Sequence, residues 1–379
     1  MEHVHRGPGE RPAPGGSVEQ ERAPPWPAQG DDPRGERVPW LRDASALRDE
    51  QHDLAGVEPE ERVGETTRHA AEAAVGVEKG GPRVEADAHG SYDATAGTRF
   101  SVVIPTRMGW KNLGATLPPL LLAMAADDEA VIVADRCDVP VAPGLDPRCR
   151  VVAHPGPGGF APACNHGAHE ARGRLLLFLN DDVRLGAGVL ERLADELRRP
   201  GVAAVGPDVV SEALARSESG TTLGWHHGVL ESRQGALAGD GAVPVPYLCG
   251  AALAVRRADF LRLGGFDERL APYFWEDLDL SLRLRERVGA TVALAGVSVS
   301  HGHGATIGGE PERRRRVVYE RNRLLVTWKH LRGWQWLAHL GWLPLRLLSS
   351  LLHDRAVPAG LAQAVAHLGS GRLGDARRD

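Results

Sequence analysis

Residues 1–98 contain no Ile and no Phe and only three Leu, against 13 Gly and 10 Pro. A stretch so poor in large apolar side chains cannot bury enough surface to offset the entropy of ordering it. The expectation is a disordered, low-complexity tail, in which a helix over 67–77 would be marginal alone. Cysteine is scarce too. The four thiols at 137, 149, 164 and 249 form no C-x-x-C pair, and no His has zinc-finger spacing to them. This argues against a disulfide framework and for reduced thiols in the cytoplasm. No apolar run of signal-peptide character opens the sequence, and no uncharged apolar run reaches the length of a membrane span, so neither is expected. A clustered basic footprint is also missing. Residues 1–100 hold 20 acids and 12 bases, leaving 30 acids and 33 bases in 101–379, so no nucleic-acid partner is expected. With 42% hydrophobic and 25% charged residues, the 379-residue chain reads as a soluble globular protein with no internal repeat.

The composition changes at Phe100. FSVVIP (100–105), AVIVAD (130–135), CRVVA (149–153) and RLLLFLNDD (174–182) are short apolar runs of buried-strand character. A helical segment over 113–126, despite Pro118 and Pro119, and a helix-length spacer, APACNHGAHEARG, separate them. Strands alternating with helices predict a parallel sheet covered on both faces. The second half reads as a strand at 202–206, a polar loop or hairpin over 211–241, and a strand running into a helix at 248–257. Then come the turn GGFDERL, a helix over 275–289, a strand over 291–301 and further helix from 311. The Leu residues at 278, 280, 282 and 284 alternate, which is not a clean helical stripe.

Ligands in such sheets bind beyond the carboxyl ends of the strands, which puts Asp135 and Asn180–Asp181–Asp182 at one rim. Paired acids ending a buried strand suit a hard divalent cation shared with substrate phosphates, though Asn and Asp also cap helices there. The acids between Asp267 and Asp279 surround Tyr273, Phe274 and Trp275. An ionised Asp at a helix start can take a proton from a hydroxyl, or simply cap the helix.

Together, GGFAPACNHGAHEARGRLLLFLNDDV and CGAALAVRRADFLRLGGFDERL…WEDLDLSLRLR resemble the two sequence blocks of the family 2 glycosyltransferases, nearest their rhamnosyltransferase-like branch. The resemblance covers roughly 100–330. It implies the GT-A fold: an α/β, Rossmann-like, mixed but mostly parallel sheet with helices on both faces. The chain then divides into the tail at 1–98, a catalytic domain at 99–330 and a C-terminal helical extension at 331–379. The implied activity is inverting transfer of a sugar from a UDP-, dTDP- or GDP-linked donor to a glycan or glycolipid acceptor hydroxyl, in cell-envelope synthesis. Carried over by position, Pro105, Thr106, Asp135, Asn165 and Asp181 contact the donor. Asp182 and His301 hold Mn²⁺ or Mg²⁺. Asp277, beside Glu276, is the catalytic base.

The nucleotide side departs from the family pattern. Arg107 and Met108 follow Thr106, Asp135 leads into Arg136–Cys137, and the Asn expected before Gly-Phe-Ala is missing from HPGPGGF. These changes leave the donor base open. A nucleotidyltransferase is an alternative, but TRMGWKNLG is not the Gly-rich phosphate loop it needs. A degenerate, non-catalytic sugar-nucleotide-binding module would lack Asp182 or Asp277, and both are present. Arg313–Arg316 read as a diphosphate or anionic-lipid contact or as a solvated helix start. Trp225, His226 and His227 read as acceptor contacts or as loop residues. GWQWLAHLGWLPLRLLSSLL (333–352) reads equally as a packed helix or as one lying in a membrane interface, which would place the protein at the inner face of the cell membrane.

Overall fold

The computed structural model describes residues 99–140, 145–235, 241–288, 290–302, 309–353 and 355–369. The tail expected over 1–98, its helix at 67–77 and His303 lie outside the described residues. The chain runs β1 (Phe100–Thr106), α1 (Trp110–Ala123), β2 (Glu129–Ala134), β3 (Cys149–Ala153), α2 (Phe160–Glu170), β4 (Leu175–Leu179), β5 (Val183–Arg184) and α3 (Val189–Arg198). It continues through β6 (Val202–Ser211), β7 (Arg216–Ser217), β8 (Gly220–His226), β9 (Val229–Gln234), β10 (Val243–Pro244), β11 (Ala252–Arg256) and α4 (Arg257–Arg262). The last elements are α5 (Glu276–Arg283), β12 (Thr291–His301), α6 (Glu312–His330), α7 (Gln335–His353) and α8 (Ala356–Gly369).

The main sheet has the order β10-β12-β6-β11-β4-β1-β2-β3. β3, β2, β1 and β4 are parallel, as are β6 and β12, while β11 runs antiparallel between β4 and β6. The alternation predicts the parallel strands, and the antiparallel β11 makes the sheet mixed but mostly parallel, as the resemblance implies. β2 and β4 are buried along their whole length, which is why they read as unbroken apolar runs rather than as alternating ones. Val102, Ile104, Leu177 and Leu179 face α1 and α3 on one side. Val103, Val131, Leu176 and Phe178 face α2, α4 and α5 on the other. α2 lies so close that a Cβ on Gly167 would come within 2.4 Å of Val103 and 2.8 Å of Val133. The small residues of APACNHGAHE set that spacing.

The alternating leucines of α5 have a simple cause. Leu280 and Leu284 enter the core beneath the sheet, while Leu278 and Leu282 join a second cluster with Leu230, Tyr247, Leu270 and Val326. The helix is packed on two sides, so no single apolar stripe exists. It ends in a π-helical turn, Leu284–Val288. Between the two packed faces lies Asp279, fully buried. It accepts from Arg283 Nε at 2.7 Å on its own helix. From α6 it meets Lys329 Nζ at 2.8 Å and His330 Nε2 at 3.2 Å. Burial opposes its charge, but these cations win and hold its carboxyl far below the usual range. Lys329 also reaches Asp267 in the preceding turn, at 2.9 Å.

The segment expected as loop or hairpin folds back as β8 and β9, with Trp225 opposite Leu230. His227 and Gly228 both have positive φ, 49° and 77°, as a tight two-residue hairpin turn requires. The turn rests on α7. The Gly228 carbonyl meets His339 Nδ1 at 2.7 Å, and a Cβ at Gly228 would come within 2.9 Å of the His339 Cα. His339 is held in turn by Trp328 Nε1 at 2.9 Å, and Leu230 N donates to Thr327 Oγ1 at 3.2 Å. Among the described residues no helix is long and apolar enough to cross a membrane.

Removing one partner of a buried charge cluster leaves the others uncompensated. Asp279→Asn is therefore expected to cost about 3–5 kcal/mol in urea denaturation. A loss below about 1 kcal/mol, the range of an exposed pair, would show that the cluster is not what joins α5 to α6.

Candidate active site

A cavity of about 260 Å³ opens beyond the carboxyl end of β4. Asn180, Glu218 and His301 line one wall, and Glu276 and Asp277 the opposite one. Aromatic rings of Tyr247, Trp275 and Tyr319 close it from the side, with Ser232 and Gln234 of β9 at its edge.

The acid pair at the start of α5 is presented by an unusual backbone. Phe274 and Trp275 both adopt left-handed φ, 78° and 76°, which is costly for aromatic residues. The buried Asn322 of α6 holds this bend by donating to the carbonyls of Leu270 (2.6 Å), Tyr273 (2.9 Å) and Phe274 (2.9 Å). Asp277 then accepts from the Gly250 N–H at 2.8 Å and the Leu278 N–H at 2.7 Å. Any larger residue at 250 would push on it, since a Cβ there would lie 3.1 Å from the Asp277 Cβ. Glu276 is buried, and its Oε2 has no hydrogen-bond partner. Burial, then the neighbouring Asp277, push its carboxyl up to about 8. Burial also raises Asp277, against the pull of its backbone donors. The pair thus keeps one proton near neutral pH. The higher value falls on Glu276, whose Oε2 has no donor, while Asp277 has a backbone donor on each oxygen.

Next to this lining, Asp182 Oδ1 lies 3.0 Å from His301 Nε2, and His301 Nδ1 meets Glu218 Oε2 at 2.6 Å. With Nδ1–H given to Glu218, Nε2 and Oδ1 face each other as two acceptors that need a positive charge between them. In the free protein a proton supplies it. Burial works against the charged imidazole, but the bonds to Asp182 and Glu218 outweigh burial and raise His301 to about 9. A divalent ion fits the same place. Two donors about 3 Å apart span one edge of an octahedron with bond lengths near 2.1 Å, and a carboxylate behind the imidazole is the usual support of a metal-bound His. Among the described residues no three His, Cys, Asp or Glu side chains converge on one ion. Asp182 and His301 are the two described side chains that would hold the ion, beside oxygens of a substrate diphosphate.

The remaining candidates divide. Thr106 Oγ1 donates to Asp181 Oδ2 at 2.5 Å, and Asn112 Nδ2 to Oδ1 at 3.0 Å. Thr116 donates to the Asp181 carbonyl at 2.6 Å. Asp181 and Thr106 thus lock β4 to β1 and α1 from within. Pro105, half-buried, pairs with Val133 on β2. Asp135 is turned toward the Gly158–Gly159 turn, where Oδ2 accepts from the Gly159 N–H at 2.9 Å. Its buried Oδ1 has no hydrogen-bond partner, and Arg107 Nε stands 3.7 Å from Oδ2. Asn165 lies apart from both walls. Its amide exchanges bonds with the Phe266 backbone at 2.8 and 2.9 Å and donates to Glu268, so it stitches α2 to the GGFD turn. Trp225 packs into the cluster beneath α5, and His227 stacks on Trp342 at 4.5 Å between ring centres, leaving the hairpin's contribution to Ser232 and Gln234. Arg314 and Arg316 pair with Glu310 and Glu312 at 3.1 and 3.5 Å.

The sequence alone does not single out Glu218 or Asn322. Glu218 sits in a polar stretch without a motif. It meets His301 only because β7 pairs with β6, which pairs with β12.

Residues 101–263 match the family model described as glycosyl transferase family 2. An uncharacterized protein y4gI of Sinorhizobium fredii is 26% identical over 257 residues, 60% of this chain and 27% of that protein. The N-acetylglucosaminyl-diphospho-decaprenol L-rhamnosyltransferase of Mycobacterium tuberculosis is 30% identical over 184 residues, 44% of this chain and 59% of its own length. The chain thus spans well under two thirds of these curated relatives. The solved structure of GalNAc-T7 with UDP, GalNAc and Mn²⁺ superposes with a TM-score of 0.48 at 16% identity, covering 62% of this chain and 48% of the other.

Replacing Glu218 by Gln removes one of the two charges that hold the imidazolium. The His301 pKa, followed by NMR titration, is expected to fall from about 9 toward 6.5. The sign for stability follows. Because the folded value lies above 6.5, the cluster's contribution is complete below pH 6.5 and is lost as pH rises through about 9. An unchanged His301 titration in Glu218→Gln would refute the pairing.

Proposed function

Since residues 101–263 belong to glycosyl transferase family 2, we propose that this protein is an inverting, metal-dependent hexosyltransferase. It moves a sugar from a nucleoside-diphosphate donor to an acceptor hydroxyl. The observation that carries this reading is that one cavity is lined by both Asp277 and His301, with Asp182 3.0 Å from the His301 Nε2.

The acceptor hydroxyl gives its proton to Asp277, while its oxygen bonds to the anomeric carbon from the face opposite the leaving group. The bond from that carbon to the diphosphate oxygen breaks, and the nucleoside diphosphate departs with the electron pair. One displacement inverts the anomeric centre, and no covalent nucleophile is needed. Asp277 accepts one N–H on each oxygen, which leaves each a free lone pair for the proton. Glu276 keeps the pair's resident proton, so the negative charge stays on Asp277. Bound at Asp182 and His301, Mn²⁺ or Mg²⁺ would offset the charge on the departing diphosphate. Asp135, with its unpartnered buried Oδ1, is the acceptor for an N–H of the donor base, UDP, dTDP or GDP. Arg107 stands near enough to steer the nucleotide. Asp181 and Thr106 shape this floor from below rather than touching the donor with free atoms, and Asn165 shapes the turn beside it.

The acceptor is a glycan or glycolipid of the cell envelope, in keeping with the name of the Mycobacterium relative. The aromatic side of the cavity offers rings to a sugar face. Trp275 Nε1 and Tyr273 OH, both buried without partners, are free to bond its hydroxyls. Leu337, Leu348 and Leu352 of α7 and Trp334 just before it are all more than half exposed. Such a face suits the headgroup boundary of a bilayer and supports a peripheral position at the inner face of the cell membrane.

Asp277→Asn is expected to preserve the fold and donor affinity and to lower turnover by about 10²–10⁴, the usual loss of a general base. Glu276→Gln mimics the protonated side chain and should stay close to wild type. The reverse ranking in a transfer assay would move the base to Glu276. Asp277 works as an anion and its pKa is raised above 3.8, so turnover should be full at higher pH and fall as pH drops through that raised value.

Donor binding should need the ion. Calorimetry with Mn²⁺ is expected to give binding that chelator or Asp182→Ala abolishes. Glu218→Gln should weaken the metal by about 10–100-fold, as loss of a supporting carboxylate does. Equal donor affinity with and without chelator would defeat the metal assignment.

A further inference from the structure

Behind α5, away from the catalytic cavity, a groove of about 960 Å³ runs between α6, α7 and α8. This is the upper end of the range for small-molecule sites. One long wall is apolar: Trp336, Leu340 and Leu343 from α7, with Leu361, Val365 and Leu368 from α8. The inner end is charged. Arg269, Arg283, Arg287, Lys329 and Arg332 line it against Asp267 and Glu286, with Asp279 buried behind Arg283 and Lys329, an excess of two positive charges before His330 is counted. Arg283 is the informative member. It is 4% exposed, and Nε and Nη1 are bound to Asp279 and the Leu263 carbonyl. Nη2 is buried with no hydrogen-bond partner. A guanidinium nitrogen left unsatisfied at the end of an apolar channel calls for an anion carried on an apolar body.

The occupant's source follows from where the groove opens. Trp336, Leu340 and Leu343 form one edge of α7, and the arc next to them on the helix carries Leu337, Leu348 and Leu351, all more than half exposed. The apolar lining therefore passes without a break into the face assigned above to the membrane. From 329 to 353 the chain has Lys329, Arg332 and Arg346 and no acid. We infer that the groove binds an anionic membrane phospholipid, with one acyl chain between α7 and α8 and its phosphate on the Arg283 end. This rests on the membrane reading of α7. The leucines beneath α5 (Leu270, Leu278) and Val326 stand between groove and catalytic cavity, so the lipid is not the reacting end of the acceptor.

The test uses the full chain and soluble lipids below their micelle concentrations. In calorimetry, dihexanoyl phosphatidylglycerol should bind one saturable site; dihexanoyl phosphatidylcholine, whose choline cation meets the basic end, and inorganic phosphate, which lacks the apolar body, should each bind at least about tenfold more weakly. Arg283→Gln should weaken the glycerol lipid by a similar factor. Val365→Trp, which fills the groove without touching the charge cluster, should do the same and serves if Arg283→Gln fails to fold. Leu348→Gln on the outer face should leave this titration unchanged while reducing flotation with phosphatidylglycerol vesicles. Absence of saturation, equal affinity for the two lipids, or an unaffected Val365→Trp would overturn the proposal, as would tighter binding of farnesyl phosphate, which would make the groove an isoprenoid site. Saturable binding without any flotation would retain the groove and remove only the membrane reading.

Discussion

The fully buried carboxylate of Asp279 is the constraint around which the catalytic half is arranged. Taking a carboxylate out of water is costly, and three cations from two helices are needed to offset it. Satisfying it fixes the rotation of α5 and the approach of α6 together. Once α6 is in place, Asn322 falls against the carbonyls of the 270–274 bend and holds two aromatic residues in a backbone region they otherwise avoid. The start of α5 is then aimed at the cavity, and Asp277 meets the Gly250 N–H. The acid proposed as the base is positioned by one buried among cations.

Three acids within four residues thereby acquire three different characters. Asp279 is surrounded by cations and never leaves its ionised state. Asp277 is held by backbone N–H groups and remains a usable anion. Glu276 has backbone donors too, but its Oε2 has no partner, and burial beside Asp277 pushes its carboxyl up to about 8. Identical functional groups are separated by their donors, not by their chemistry. The wall across the cavity uses the same logic with the sign reversed, where Glu218 and Asp182 make a cation of His301.

The parallel strands were legible in the sequence because burial on both faces leaves no polar residue to interrupt the run. Their ends were legible because acids follow the last apolar residue. The nature of the helix at 275–289 was harder to read, since packing against two clusters makes the leucines alternate. Glu218 was invisible, because its neighbour His301 is 83 residues away and only strand pairing unites them. Asn165 and Asp181 show the opposite difficulty. Both carry motif-like signals, yet their side chains are occupied in holding loops and strands. Sequence pattern marks residues that a fold cannot do without, and it does not distinguish those that face a ligand from those that face the protein.

The tight turn at His227–Gly228 seated on α7 has a mechanical meaning. The hairpin is pinned at its tip by His339 and, two residues along at Leu230, by Thr327, and its second strand continues to Ser232 and Gln234 at the rim of the cavity. It is a stiff arm with a fulcrum on α6. A displacement of α7 would move this tip and, a few residues along the same strand, the cavity rim at Ser232 and Gln234.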